Sequence, residues 1–187
     1  MERDERGGTG AQRRIEKSAV TDHAGYGRAG AIQDGVYRMQ SEEQGIRIRV
    51  AVAIVDSGNI LLVQHEKYGR EYWLLPGGGV KYGETMTAAA QRELMEETGY
   101  EVEVGNLFMV SESIPPDLHR HVINVYYWGR IVSGSLHVTQ DRVLRDAQWI
   151  DLADLPHLTI YPAISRELIA AIETGSAPQL SIGNRWE

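Results

Sequence analysis

The sequence predicts an α+β domain, and three observations point to it. Residues 46–55 alternate and then run apolar, as a strand entering a core does. Residues 122–132 are rich in β-branched and aromatic side chains. Two further stretches, 85–99 and 162–174, read as helices, each ending at a glycine.

Taken in order, Ile46-Arg47-Ile48-Arg49-Val50 alternates, and Ala51 to Val55 continues as a more buried strand. Asp56-Ser57-Gly58-Asn59 is hairpin chemistry, and Ile60 to Val63 is the return strand. His65 to Glu71 reads as a charged loop, and Tyr72 to Leu75 as a short strand leading to Pro76 and the glycines 77–79. Thr85 or Thr87 caps the next helix and Gly99 stops it. On that helix Glu93, Glu96 and Glu97 share a face about 100° wide, with Arg92 on its edge. Ala89 and Ala90 are expected to leave open space beside Glu93, while Ala88, Leu94 and Met95 point to a core. Residues 101–113 form a strand with a break at Gly105-Asn106, and 114–118 a proline loop. The strand 122–132 ends at Ser133-Gly134-Ser135. A mixed segment spans 137–146, a last strand 147–150 and a helical turn 151–155. Pro162 opens the final helix, whose buried stripe is Ile164, Leu168, Ile169 and Ile172, with Gly175 as its stop. Residues 45–175 thus make one domain without internal repeats. Residues 1–44, polar and glycine-rich, form a disordered or loosely attached arm, and 176–187 a polar tail.

The composition excludes several functions. A net charge of −7 argues against general DNA binding but not against an anionic nucleotide. No cysteine is present, which excludes disulfides and thiolate metal sites. No apolar run approaches the roughly 20 residues of a membrane helix, and the N-terminus has no apolar signal core. The expectation is a cytoplasmic protein without membrane partners.

Three carboxylates on one helical face repel one another by a few tenths of a kcal/mol per pair, and a single arginine cannot neutralise them. Either the face is a solvated acidic surface or it holds a hard divalent cation such as magnesium, which accepts carboxylate oxygens and keeps phosphate oxygens in its shell. The Gly77-Gly78-Gly79 run supports the second reading, because glycine lets backbone groups come close to an ion or phosphate.

The spacing is more telling than the composition. Gly78, five residues, Glu84, seven residues, Arg92-Glu93-Leu94, one residue, Glu96-Glu97, one residue, Gly99 and an apolar Tyr100 match a known pattern at every fixed position. This stretch, residues 78–100, resembles the Nudix box, and a looser resemblance runs from about Ile46 to Ile172. The resemblance implies the Nudix fold, a mixed sheet between helices in an α/β/α sandwich. It also implies Mg2+-dependent hydrolysis of a nucleoside diphosphate linked to another moiety, with Mn2+ able to substitute.

By the same resemblance Glu93, Glu96 and Glu97 are metal ligands, joined by the carbonyl of Gly77 or Gly78. Glu96, Glu93 and Arg92 carry the catalysis, Arg92 by orienting the glutamates. Glu84 is a further ligand, a partner for Arg92, or a cap on the helix. Gly78 and Gly79 face the substrate. The base that activates water is a box glutamate or a loop carboxylate, for which Glu112, Asp117 and Asp141 are the candidates. His119 and His121 can meet phosphate or ribose, although His121 also suits a solvent-facing strand start. Pro115 and Pro116 stand where ADP-ribose pyrophosphatases carry a proline, and Pro116 is placed against substrate. Tyr72, Trp73, Tyr126, Tyr127 and Trp128 offer stacking for a base, alternate ones being core, and Trp149 reads as core. ADP-ribose or a nucleotide sugar is the favoured substrate. The alternatives are a nucleoside triphosphate pyrophosphohydrolase of the sanitising type and a non-catalytic nucleotide sensor. An extended piece at 36–39 is the expected contact of a homodimer.

Overall fold

The computed structural model describes residues 45–67, 69–138 and 143–186. The arm 1–44 with its piece at 36–39, and Asp141, lie outside the described residues. In chain order the elements are β1 (Arg47–Ala53), β2 (Val55–Asp56), β3 (Asn59–Lys67), β4 (Arg70–Leu74), α1 (Met86–Thr98), β5 (Tyr100–Ser113), β6 (Val122–Gly134), β7 (Leu144–Asp151), a 3-10 turn (Leu155–His157), α2 (Ser165–Thr174) and β8 (Ser181–Asn184). The strands divide between two sheets. One is mixed, ordered β1-β6-β5-β8, with β1 parallel to β6, β5 antiparallel to β6 and β8 parallel to β5. In the other, β3 pairs antiparallel with β2, β4 and β7.

Local chemistry sets the first half. Ser57 (φ 48°) and Gly58 (φ 80°) make the primed turn that matches strand twist, so Asp56 pairs with Asn59. Thr85 caps α1, its hydroxyl accepting the Ala88 amide at 3.1 Å, and Gly99 ends it at φ 71°. The buried face differs from the sequence expectation. Ala89, Ala90, Leu94 and Thr98 are buried, whereas Ala88 is exposed and Met95 is 42% exposed. Ala89 and Ala90 leave no open space: they sit in one cluster with Val50, Val52 and Leu61. Their small side chains let the helix axis come close to β1, which turns the core stripe towards 89, 90 and 94.

The second half holds further departures. Gly105-Asn106 does not break β5, because a register shift between Val104 and Leu107 absorbs the irregularity. β7 starts at Leu144 rather than at 147, and the helical turn falls at Leu155–His157 rather than at 151–155. Pro162 precedes α2 instead of lying in its first turn. Ile164, Leu168 and Ala171 form the buried stripe, while Ile169 and Ile172 are only partly buried against it. The stretch 176–187 is more than the polar tail its composition predicts: it carries β8, with Ile182 buried and Ser181 and Asn184 in register with Val110 and Glu112. A four-residue edge strand with one buried apolar side chain shows no alternation to read.

Two backbone contacts fix the exit of α1. The His137 amide donates to the Thr98 carbonyl at 2.9 Å. Tyr100 pairs with Gly134, and a Cβ on Gly134 would lie 2.3 Å from the Gly99 carbonyl oxygen. Among the described residues no helix is long and apolar enough to cross a membrane.

Leu94→Ala should lower unfolding free energy by about 2–5 kcal/mol, since a fully buried leucine leaves a cavity. Met95→Ala should cost less than about 1 kcal/mol. Denaturant unfolding of the two variants checks which face of α1 is inside.

Candidate active site

The site is built on a loop lying along a strand. Val52 donates to the Pro76 carbonyl at 3.0 Å, Val50 to Gly78 at 2.9 Å, and Val80 to Ile48 at 3.0 Å. Residues 76–80 therefore act as a short extra edge for β1. At Gly77 (φ 142°) a Cβ would fall 2.1 Å from the Val50 carbonyl oxygen, so no side chain fits. Arg49 Nη2 donates to the carbonyls of Leu75 (2.8 Å) and Gly77 (3.1 Å). On the other side the Gly77 amide donates to Glu97 Oε2 at 2.8 Å. The Glu93 carboxylate occupies the space a Cβ on Gly78 would need, at 2.3 Å.

Arg92 joins the remaining acids. Its Nε and Nη2 take both oxygens of Glu84 at 2.8 and 3.0 Å, its Nη1 reaches Glu93 Oε1 at 2.6 Å and Glu96 at 3.4 Å, and Nη2 also donates to the Gly79 carbonyl at 3.1 Å. The Lys81 amide donates to Glu84 at 3.0 Å. Arg92 and then the Lys81 amide hold the Glu84 carboxyl well below its ordinary 4.5, at about 2. Glu84 in turn is the main cause that raises the Arg92 guanidinium above its usual range. Of the readings open for Glu84, the geometry displays the Arg92 partner, and Thr85 is the cap of α1.

Among the described residues no three His, Asp or Glu side chains converge as a ready-made cation site. Arg92 lies between Glu93 and Glu96, and Glu97 is turned to the Gly77 amide, with His65 Nε2 at 3.9 Å. The donor set still suits a hard divalent ion: it is all oxygen, Glu93 and Glu97 are largely shielded from water, and Glu96 is 56% exposed with only a long contact to hold it. The Gly78 and Gly79 carbonyls serve Val50 and Arg92, and Gly77's is shared with Arg49.

The loop candidates stand apart from this network. Asp117 accepts from the His119 ring at 2.6 Å, which lowers its pKa, and Glu112 pairs with His121 Nε2 at 3.2 Å. His121 is thus partnered rather than simply solvent-facing. Pro116 is exposed and Pro115 buried. Of the aromatic platform, Tyr126 is core, bonded to Ser111 at 2.9 Å, and Trp128 stacks on Phe108 at 4.2 Å. Trp73 is partly buried on the same cluster, and the Tyr127 hydroxyl meets the Met86 sulfur at 3.7 Å. Trp149, read as core, is only partly buried: it packs edge-on to Tyr100 against the cluster of Val50, Val52 and Leu61.

Tyr72 alone of the platform lines a cavity of about 220 Å3 between the sheets, together with Arg49, His65, Arg120, Asn124 and Tyr161. Arg49, Arg120 and Tyr161 were not among the sequence candidates. A signal existed for Arg49: it shares a strand face with Ala51 and Ala53, both of them core.

A family model described as the NUDIX domain matches residues 45–172. The ADP-ribose pyrophosphatase of Methanocaldococcus jannaschii is 34% identical over 107 residues, 56% of this chain and 62% of its own. The NAD-capped RNA hydrolase NudC of Pectobacterium carotovorum is 31% identical over 120 residues, 64% of this chain and 44% of its own. The match thus spans less than two thirds of the length of these curated relatives. The MutT NUDIX hydrolase structure from Burkholderia pseudomallei is 30% identical with a TM-score of 0.57, over 63% of this chain and 92% of that one. A NUDIX hydrolase from Nitrosomonas europaea, 19% identical, shares the fold with a TM-score of 0.63 over 71% and 92%.

Two glycine variants separate the loop's constraints. Gly77→Ala meets backbone and should lower the melting temperature by ~5 °C or more. Gly78→Ala meets only the end of the Glu93 side chain and should melt closer to wild type. A third measurement concerns Glu84, whose folded pKa is depressed from 4.5 to about 2. Its stabilising effect is full above the unfolded value and is lost as pH falls from 4.5 through about 2. The melting-temperature gap between wild type and Glu84→Gln should therefore shrink on acidification through that window.

Proposed function

Because the chain belongs to the NUDIX family, we propose that it hydrolyses the diphosphate linkage of a small-molecule nucleotide, a nucleoside diphosphate joined to another moiety. The observation that carries this reading is the joint between α1 and the glycine loop. Glu97 holds the Gly77 amide, Glu93 fills the hollow over Gly78, and Arg92 ties Glu84, Glu93 and the Gly79 carbonyl together. Acids and loop backbone so joined suit a diphosphate brought in with a divalent cation.

In this reading Glu93, Glu96 and Glu97 hold Mg2+, which Mn2+ can replace. When bound, the cation neutralises charge on the bridging and leaving oxygens and lowers the pKa of a bound water. The chain's own contribution is positional. Arg92 keeps the glutamates aligned, and Glu84 keeps Arg92 in place. Gly78 and Gly79 let phosphate oxygens approach the backbone. Glu96, the most exposed of the three and the least tightly held, takes the proton from water onto its carboxylate. Glu112 and Asp117 already face their own histidines, which weakens the case for either as the base.

ADP-ribose or a nucleotide sugar is the favoured substrate, supported by the name of the Methanocaldococcus jannaschii relative and by Pro116 in the loop after β5. The test is a panel of ADP-ribose, nucleotide sugars, dinucleotides and triphosphates, assayed with Mg2+, with Mn2+ and with chelator. Metal-dependent release of a nucleoside monophosphate from the first two classes supports the reading; turnover of none of them sinks it.

Arg92→Ala should lower kcat/KM by about 10–100-fold, the range for residues that orient ligands. Glu97→Gln should lower it further while the fold is kept. Steady-state kinetics beside circular dichroism decides, and the reverse order would remove Arg92 from its orienting role.

A further inference from the structure

The cavity between the sheets adjoins the glycine loop, because Arg49 lines it and also holds the Gly77 carbonyl. Its second arginine, Arg120, is fixed from two sides. Arg120 Nη2 donates to the Tyr161 hydroxyl at 3.2 Å, and its Cζ lies 4.7 Å from the centre of the Trp186 ring. Trp186 comes from the segment after β8 and stands edge-on to Tyr161 at 5.4 Å. Arg120 Nε is buried without a hydrogen-bond partner.

A buried guanidinium donor left unpaired is costly, and a charged acceptor satisfies it best. None of the described lining residues is Asp or Glu. Burial raises the pKa of both Tyr72 and Tyr161, so neither phenol supplies an anion. At about 220 Å3 the space is below the roughly 300–1,000 Å3 that encloses a whole small ligand. It therefore takes one part of a substrate, and the tyrosine rings suit a ring beside the charge.

We propose that Arg120 is a specificity-determining residue: it receives an anionic oxygen of a compact, ring-bearing group, a sugar phosphate or sugar carboxylate, and Trp186 and Tyr161 are the positioning residues that hold it. This rests on the diphosphate-cleaving reading only for the origin of that group, the part of the substrate beyond the scissile linkage.

Titration calorimetry on the metal-free full chain with ribose 5-phosphate, glucuronate and ribose is the direct test. One or both anions should bind and ribose should not, and the anion that binds identifies phosphate or carboxylate as the recognised group. Arg120→Ala should weaken that binding by about ten-fold or more. Trp186→Ala should do the same, and Trp186→Phe, which keeps an aromatic face, should restore it to within about three-fold. Melting curves confirm that each variant is folded, and Trp186→Phe carries the test if Trp186→Ala is not. Binding no better than ribose, or binding indifferent to Arg120→Ala, overturns the proposal. On whichever substrate the panel reveals, Trp186→Ala should raise KM by about ten-fold with kcat changed less than about three-fold. An equal fall in kcat would overturn the positioning role. Turnover with an Arg120-independent KM removes this proposal and leaves the hydrolase reading standing. Arg120-dependent binding without turnover of any nucleotide does the reverse.

Discussion

The arrangement depends on one contact between backbones. The segment 76–80 lies on the edge of β1 at hydrogen-bonding distance, through Pro76, Gly78 and Val80, so close that Gly77 has no room for a Cβ. A loop with ordinary side chains would stand off the strand, and its amides would then miss the acids of α1. Ala89 and Ala90 do the corresponding work from the helix, letting α1 settle against Val50 and Val52. Small residues on both partners bring Glu93 and Glu97 to the loop.

The second theme is how like charges are kept together. Glu84, Glu93 and Glu96 all face one guanidinium, whose planar fork takes both oxygens of Glu84 and still reaches the other two. Glu97 uses a backbone amide instead. The four carboxylates therefore differ in how firmly each is held, from Glu84, with both oxygens bonded, to Glu96, exposed and loosely tied. That gradient suits a division between alignment and chemistry.

How much of this could be read from the sequence depended on the kind of signal. The hairpin at Ser57-Gly58, a threonine cap at 85 or 87 and the stop at Gly99 were legible because each is set by chemistry within a few residues; the structure selects Thr85. The Glu93–Glu97 face was legible because it follows from helical geometry and fixed spacing. Met95 and Ala88 were misplaced because the wheel gives angles but not which angle meets the sheet; that is decided by β1, some forty residues earlier. β8 was missed because its partner β5 supplies the pattern. The cavity was missed because its lining is gathered from β1, β3, β4, β5, β6, the connection from β5 to β6 and the stretch before α2; His119 and His121 drew the eye to that connection, but nothing local shows that Arg120 between them turns inward to Tyr161.

The exit of α1 has a consequence for how such a scaffold can vary. Thr98 is bonded to His137, and Gly99 lies against Gly134, so the end of the β6 strand is clamped to the last turn of the helix. An extra residue inserted at 133–137 would not bulge harmlessly into solvent; it would lever that turn and swing Glu97, one position upstream. The connection from β5 to β6 is a different rim: it carries Arg120, whose place Tyr161 and Trp186 set. There a lengthened chain would reshape what enters the crevice without disturbing the acids beside it.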